Sequence, residues 1–255
     1  MGVHPWVWYV TVAALVAFLV FDVFIVGRRP HEPSMKESAR AITFYVCLAV
    51  LFGLGVWVTS GGGYAGEFFA GWITEYSLSV DNLFIFIIIM SRFGVPRPLQ
   101  QSALLIGIIM ALVLRGVFIA AGAAAIERFS WVFYLFGAFL VYTALRLARQ
   151  REESEEFHEN ALIRWVRRAL PTTDEYHGAH LVVRSAGRRM ITPMLVVIVA
   201  LGTTDLLFAL DSIPAIFGLT KEPYLVFTAN VFALMGLRQL YFLLGGLLNR
   251  LVYLS

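Results

Sequence analysis

Charged residues are scarce in this chain, and their scarcity limits the class of protein it can be. Asp, Glu, Lys and Arg make up 15% of the 255 residues, whereas a typical soluble domain has about 25%. Hydrophobic residues make up 59%. Several apolar runs reach about 18 residues or more, which is enough for a helix to cross about 30 Å of hydrocarbon. The composition therefore excludes an ordinary soluble protein and predicts a protein whose partner is the lipid bilayer.

Cysteine is almost absent, and this excludes thiol chemistry that needs two sulfurs. Cys47 is the single cysteine and lies in an apolar run. One thiol cannot form an internal disulfide or a multi-thiolate metal site. The net charge of +3 would be compatible with nucleic-acid binding, but in a membrane protein the position of the basic residues matters more than their total. We predict no nucleic-acid partner.

Seven apolar segments follow one another and predict an all-α, polytopic transmembrane helix bundle within a single domain, 1–255. They lie at about 6–27, 41–59, 66–90, 102–122, 130–148, 192–218 and 224–245. The residues after 247 are too few for another span. Either the C-terminus lies on the opposite side from the start, or the chain is shortened after helix seven.

Basic residues predict the orientation of this bundle, because Lys and Arg are enriched in cytoplasmic loops. Sixteen of the 20 lie in alternate connections on one side, which predicts an external N-terminus. We expect a multi-pass protein of the bacterial inner (plasma) membrane. The longest connection, 149–190, is predicted to be cytoplasmic, and its basic amphipathic stretch 163–168 is predicted to be a helix lying on the membrane surface.

Ionisable residues inside the predicted helices are the most informative feature. Leaving six such groups unpaired in lipid would cost roughly 15 to 20 kcal/mol, which rivals the whole stability of a domain, about 5 to 15 kcal/mol. They must therefore face one another, water or a bound ion. The six are Glu75, Asp81, Arg115, Asp205, Asp211 and Arg238.

An internal repeat relates these residues. Segment 74–82 aligns with 204–212, with acid matching acid at the same spacing, and Arg115 and Arg238 follow in the next helices. The repeat cores are 66–122 and 192–245. Two spans separate the acid-bearing helices, so we predict that these helices run in opposite directions. An inverted repeat with polar residues in corresponding helices is typical of secondary transporters, whose substrate site lies near the midplane.

Helix geometry predicts how the four acids are arranged. Residues six apart differ by about 240° in direction and about 9 Å in height, so two acids of one straight helix cannot share an ion. Partners must come from the other repeat, which predicts Glu75 beside Asp211 and Asp81 beside Asp205 in two layers. Pro214 is a candidate position for local unwinding of the second helix, and Gly202 is another.

The four acids, with Asn82 and Ser212, predict an all-oxygen site for a divalent cation such as Mn²⁺, Mg²⁺ or Ca²⁺. Against Arg115 and Arg238 as counter-ions, four ionised acids leave two negative charges, which one divalent cation or two protons would neutralise. Asn230 is equally well interpreted as an oxygen ligand or as an interhelical hydrogen-bond partner. The alternative to an ion site is a set of buried salt bridges that holds the bundle together.

Four segments of the chain resemble the TerC/Alx family of bacterial, tellurite-resistance-associated membrane proteins, within the wider LysE-type transporter superfamily. They are 75–84, 115–116, 205–215 and 228–238. The resemblance implies Mn²⁺ export, as in some members, with the matched acids as ion ligands. Many members carry a Glu at the position of Gly202 and continue with two further spans.

We therefore predict a transporter that exports a divalent metal ion, most plausibly Mn²⁺, with exchange for protons as an option. It is predicted not to be an enzyme and to have no cofactor beyond the transported cation. One alternative is a membrane scaffold or stress-response component with a structural polar core. Another is an intramembrane aspartyl protease, which is disfavoured because neither Asp81 nor Asp211 follows a Gly-x-Gly sequence. The sequence does not predict an oligomeric state.

Overall fold

The structure is a computed structural model that describes residues 3–28, 33–129, 131–149, 171–173, 175–185 and 188–252. The described residues are mostly helical, so the predicted all-α bundle is confirmed. The helices are α1 Pro5–Arg28, α2 Met35–Ser60, α3 Gly62–Arg92, α4 Arg97–Arg128, α5 Val132–Arg149, α6 Pro193–Leu219, α7 Pro223–Met235 and α8 Leu237–Val252.

Helices occupy all seven segments that the hydropathy predicted. Five of them, counting α7 and α8 as one, are long and apolar enough to cross a membrane, and α1 and α5 contribute shorter apolar helices over the residues searched. The last predicted segment is interrupted at Gly236, which lies between the end of α7 and the start of α8. Its backbone angles are φ −95° and ψ −6°. This interruption was not predicted.

Helix α3 lies at the centre of the bundle. It packs against α2, α6 and α7, while α4 packs against α6 and α7 and α5 packs against α6. In the predicted repeat α3 corresponds to α6, and α4 corresponds to α7. The α3–α7 interface therefore corresponds to the α6–α4 interface, and both are present. The packing pattern is therefore the one that a two-fold internal repeat requires, although the repeat itself stays a prediction.

Contacts at both ends show that α3 and α6 run antiparallel. At one end, Thr220 after α6 donates a 2.5 Å hydrogen bond from Oγ1 to Oε2 of Glu67 near the start of α3. At the other end, Met90 of α3 shares a packed cluster with Met194 at the start of α6. The predicted opposite direction of these two helices is confirmed.

A close contact in the middle of the interface fixes the register of the two helices. A Cβ atom added at Gly71 of α3 would lie 3.4 Å from Cγ2 of Ile216 on α6. This contact agrees with the Glu67–Thr220 hydrogen bond. Gly71 lies four residues after Glu67 along α3, and Ile216 lies four residues before Thr220. The two contacts therefore align the first part of α3 with the last part of α6.

Helix α6 continues without a break through both positions at which unwinding was predicted, so that prediction was wrong. Gly202 instead serves close packing, because a Cβ atom there would overlap the side chain of Met110 on α4. Pro214 lacks an amide N–H, so the carbonyl of Leu210 has no helical donor, but the surrounding packing keeps the helix intact.

A two-stranded hairpin, which was not predicted, lies within the predicted long connection 149–190. Strands β1 Val182–Ser185 and β2 Arg188–Ile191 pair antiparallel. Tyr176, which precedes β1, donates a 2.8 Å hydrogen bond from Oη to the carbonyl oxygen of Phe93 at the end of α3. The hairpin segment is thus attached to the end of the central helix. The predicted surface helix at 163–168 lies outside the described residues.

Candidate functional site

The guanidinium of Arg115 on α4 joins four helices in the middle of the bundle. It forms a fork with Asp205 of α6, with Nε donating to Oδ2 over 3.1 Å and Nη2 donating to Oδ1 over 2.9 Å. Nη1 donates to Oδ1 of Asn230 on α7 over 3.0 Å and forms an ion pair with Oε1 of Glu75 on α3. One side chain therefore connects acids from both predicted repeats.

These groups are sealed from solvent. The exposed fraction is 0% for Glu75, 1% for Arg115 and 3% for Asp205. Two carboxylates and one guanidinium leave one negative charge if all are ionised. Removing one partner of a buried ion pair typically costs about 3 to 5 kcal/mol because the other charge is left uncompensated, so loss of any one of these groups should destabilise the protein.

The helices that carry the two acids each contribute one further polar residue that the sequence predicted for the site. These residues are Ser212 of α6 and Asn82 of α3. Both added side chains are buried, with exposed fractions of 2% for Ser212 and 7% for Asn82. Each lies seven residues after the acid of its own helix, a spacing that returns to within about 20° of the same helix face. Each of the two helices thus carries one acid and one neutral oxygen-bearing side chain on its buried face.

Two buried oxygen atoms on α3 and α6 have no hydrogen-bond partner among the described residues. They are Oε2 of Glu75 and Oγ of Ser212. The other carboxylate oxygen of Glu75, Oε1, accepts a weak 3.4 Å hydrogen bond from Ser79 one turn further along α3. Buried polar atoms are almost always paired, so two unpaired oxygens on facing helices indicate a place for a small cation or for water.

The side chains of Asp81 and Asp211 are exposed, unlike those of Glu75 and Asp205. The predicted pairing of these acids in two layers stays a prediction. Within the described ranges no group of three or more His, Cys, Asp or Glu side chains could hold a metal ion. The physical reason is the spacing: six residues rotate an acid by about 240° away from the buried face, whereas seven residues bring it back.

Arg238 and Asn230 are the two remaining residues that the sequence proposed for the site, and both are buried. Arg238 is buried, with an exposed fraction of 7%, and it follows directly after the interruption at Gly236. Asn230 is the interhelical hydrogen-bond partner that the sequence offered as one of two interpretations, because its amide oxygen accepts from Arg115. A ligand role for Asn230 stays a prediction. The sequence did not predict that Arg115 would contact both acids.

Two cavities open at opposite ends of α3. One, of about 360 Å³, is lined by residues that include Glu67, Thr220 and Glu222. The other, of about 610 Å³, is lined by residues that include Met90 and Arg97. Glu75 lies eight residues, or about 12 Å along the helix, from the level of Glu67. None of the charged groups of the buried centre is among the residues that line these two cavities.

Comparison with protein families explains the sequence motifs that contribute to this centre. Residues 60–255 match the model described as the integral membrane protein TerC family. The chain belongs to the TerC family. This assignment confirms the resemblance seen in the sequence, and the matched region includes α3, α4, α6, α7 and α8.

Several bacterial proteins are similar to this TerC-family chain over nearly its whole length. An uncharacterised membrane protein of Mycobacterium tuberculosis (strain ATCC 25618 / H37Rv) is 47% identical over 259 residues, which cover 100% of this chain and 65% of the relative. The chain thus spans about two thirds of the length of that relative. An uncharacterised membrane protein of Myxococcus xanthus is 40% identical over 251 residues, covering 98% of this chain and 79% of the relative.

A third relative carries a functional name. It is a protein of Escherichia coli (strain K12) named Alx and described as a proposed membrane-bound redox modulator, 37% identical over 255 residues, which cover 96% of this chain and 79% of the relative. No solved structure matches this TerC-family chain significantly.

Proposed function

We propose that this TerC-family protein is a transporter that exports a divalent cation, with Mn²⁺ as the cargo, across the bacterial inner membrane. One observation carries the proposal: a buried carboxylate oxygen of Glu75 and the buried hydroxyl of Ser212, on two helices packed against each other, have no hydrogen-bond partner among the described residues. An ionisable group inside a membrane-spanning helix is costly and usually marks an ion or substrate pathway.

The chemistry of the facing oxygens supports a hard divalent cation. Mn²⁺ and Mg²⁺ prefer carboxylate, hydroxyl and amide oxygens, and Glu75 Oε2 and Ser212 Oγ offer two such donors. Asp205 and Asn82 offer further oxygens on the same two helices. Glu75 and Asn82 are about 10 Å apart along α3, so they cannot share one ion. In this proposal Glu75 and Ser212 hold the ion at one step of its passage and Asp205 and Asn82 at another, while Arg115 acts as a fixed counter-ion.

The fixed positive charge of Arg115 suits transport better than storage. The acids leave one negative charge that attracts a cation, while the nearby guanidinium repels the bound ion and keeps its affinity moderate. A proton that replaced the metal on a carboxylate would restore the charge after release, so exchange for protons is part of the proposal. The cavities at the two ends of α3 give the two sides from which an alternating-access centre would be reached.

The sidedness of transport follows from the distribution of basic residues. The excess of Lys and Arg on one side of the helices supports an external N-terminus. The cavity near Arg97 then faces the cytoplasm and the cavity near Glu67 faces outward. A protein with this role would not be an enzyme and would need no resident cofactor.

The name of the Alx relatives favours redox modulation as a second candidate function. The single cysteine of this chain, Cys47, is exposed on α2. One thiol per chain cannot carry out internal thiol–disulfide exchange. A structural scaffold with Arg115 as its central salt bridge is the further alternative, and it predicts no ion movement.

The deciding experiment uses the purified chain in liposomes that contain a Mn²⁺-sensitive dye. We expect Mn²⁺ influx with the wild-type protein and at least a tenfold slower rate with Glu75→Gln or Ser212→Ala, because each change removes a ligand of the ion. Asp81→Asn is the matched comparison on the same helix, and its rate should stay close to the wild-type rate. A wild-type protein that moves no Mn²⁺ above protein-free liposomes would refute transport.

The Asp81→Asn variant also tests the four-acid arrangement that the sequence predicted. A loss of transport as large as that of Glu75→Gln would return Asp81 to the ion site and would contradict the assignment to Ser212 and Asn82. The variants should insert into the liposomes as the wild type does. Their helix content, measured by circular dichroism, should also match that of the wild type.

A further inference from the structure

Both ends of the Asn230 amide are used in the structure. The side chain is buried on α7, with an exposed fraction of 1%. Its Oδ1 accepts from Nη1 of Arg115 over 3.0 Å, and its Nδ2 donates to the carbonyl oxygen of Val226 over 3.1 Å. A reversed amide would direct its NH₂ group at a cation and lose both bonds, so the orientation of Asn230 is fixed.

The hydrogen bonds of Arg115 are divided unevenly between the two acids. Nε and Nη2 form the fork with Asp205. Nη1 is shared between Asn230 and Oε1 of Glu75, the acid whose other oxygen is unpaired. The contact with Glu75 is therefore the contact of Arg115 that an incoming cation at Glu75 would weaken first.

We infer that Asn230 is a positioning residue: it holds Nη1 of Arg115 and thereby limits the competition of the guanidinium for Glu75, which sets the affinity for the transported cation. This inference rests on the proposed transport function. When a cation binds Glu75, Arg115 remains anchored by the Asp205 fork and by Asn230. Without Asn230, Glu75 is the only charged acceptor that the described residues give Nη1, and the guanidinium competes with the cation.

The first test measures Mn²⁺ transport in liposomes by the full-length variants Asn230→Leu and Asn230→Ser. We expect the KM for Mn²⁺ to rise about tenfold with little change in maximal rate, the size of one lost hydrogen bond to a charged group. Thr228→Val is the matched control, because Thr228 is buried on the same helix and its hydroxyl bonds to the carbonyl oxygen of Tyr224 over 2.8 Å. Its KM should equal that of the wild type.

The conservative variant Asn230→Asp keeps an acceptor oxygen toward Arg115. We expect the KM of Asn230→Asp for Mn²⁺ to equal the wild-type value or to lie below it. A variant series in which the maximal rate falls while the KM stays constant would overturn the inference and assign Asn230 a structural role.

A double-mutant cycle separates positioning from direct metal ligation. In an Arg115→Gln background, Asn230→Ser should not raise the KM further, because the group that it positions is absent. A tenfold rise in that background as well would make Asn230 a direct ligand and would overturn the inference.

The same cycle gives an answer if the wild-type protein proves to move no Mn²⁺, in which case the proposed function fails by itself. Thermal unfolding without metal then measures the coupling. Asn230→Ser should lower the unfolding temperature in the wild-type background and lower it less in the Arg115→Gln background. Equal losses in both backgrounds would show that Asn230 does not act on Arg115.

Discussion

Replacing Arg115 by methionine should destabilise the protein strongly. The substitution keeps a long apolar side chain but removes four contacts: the two bonds of the Asp205 fork, the bond to Asn230 and the ion pair with Glu75. It leaves two carboxylates buried without a counter-ion. Loss of one partner of a buried pair costs about 3 to 5 kcal/mol, and protonation of the acids would reduce that cost. For a chain of this size we expect the unfolding temperature to fall by roughly 6 to 15 °C.

The assay is thermal unfolding of the purified protein in detergent, followed by circular dichroism at constant pH and ionic strength. Arg128→Met is the matched control, because Arg128 ends the same helix and is exposed. The control should change the unfolding temperature by about 2 °C or less, as for most surface substitutions. Neutralising the acids as well, with Glu75→Gln and Asp205→Asn, should recover much of the loss. A fall of less than about 2 °C for Arg115→Met would refute the view that this guanidinium holds the centre together.

Three further predictions concern packing, a helix-end contact and ion binding. Gly53→Ala should lower the free energy of unfolding, measured by thermal unfolding, by about 1 to 3 kcal/mol, because the added Cβ atom would overlap the ring of Phe69. The control is Gly55→Ala on the same helix, which should be neutral because a Cβ atom there has nothing within 4 Å. Thr220→Val should cost about 1.5 to 3 kcal/mol, since it removes the hydrogen bond to Glu67; an unchanged unfolding temperature would contradict that role. Mn²⁺ at about one hundred times its dissociation constant should stabilise the wild type by about 2.7 kcal/mol, and Glu75→Gln should abolish that shift.

The sequence predicted much of the fold because hydropathy and helix length report directly on burial in a bilayer. All seven apolar segments are helical, and the antiparallel direction of α3 and α6 follows from the number of spans between them. The interruption at Gly236 was not predictable in the same way, because a single glycine in an apolar helix is common. The hairpin at 182–191 was missed because its arginines make it resemble an ordinary basic loop.

The sequence named the oxygen-bearing residues of the candidate site but not which of them are buried. It predicted Asp211 beside Glu75 and Asp81 beside Asp205, with Asn82 and Ser212 as further ligands. Hydropathy, however, does not tell which of two adjacent polar residues faces inward. In the structure the buried positions belong to Ser212 and Asn82, one residue further along each helix.

The contrast between these neighbouring residues also changes the charge of the centre. The sequence had set four acids against Arg115 and Arg238. In the structure two of the four acids are buried, and Arg115 contacts both of them. If all three groups are ionised, they leave a single negative charge, and Oε2 of Glu75 has no hydrogen-bond partner among the described residues. A bundle built only for stability gains little from such an excess, because an unpaired buried charge is costly. A transport site needs the excess, since an ion must be attracted by the centre and yet be released from it.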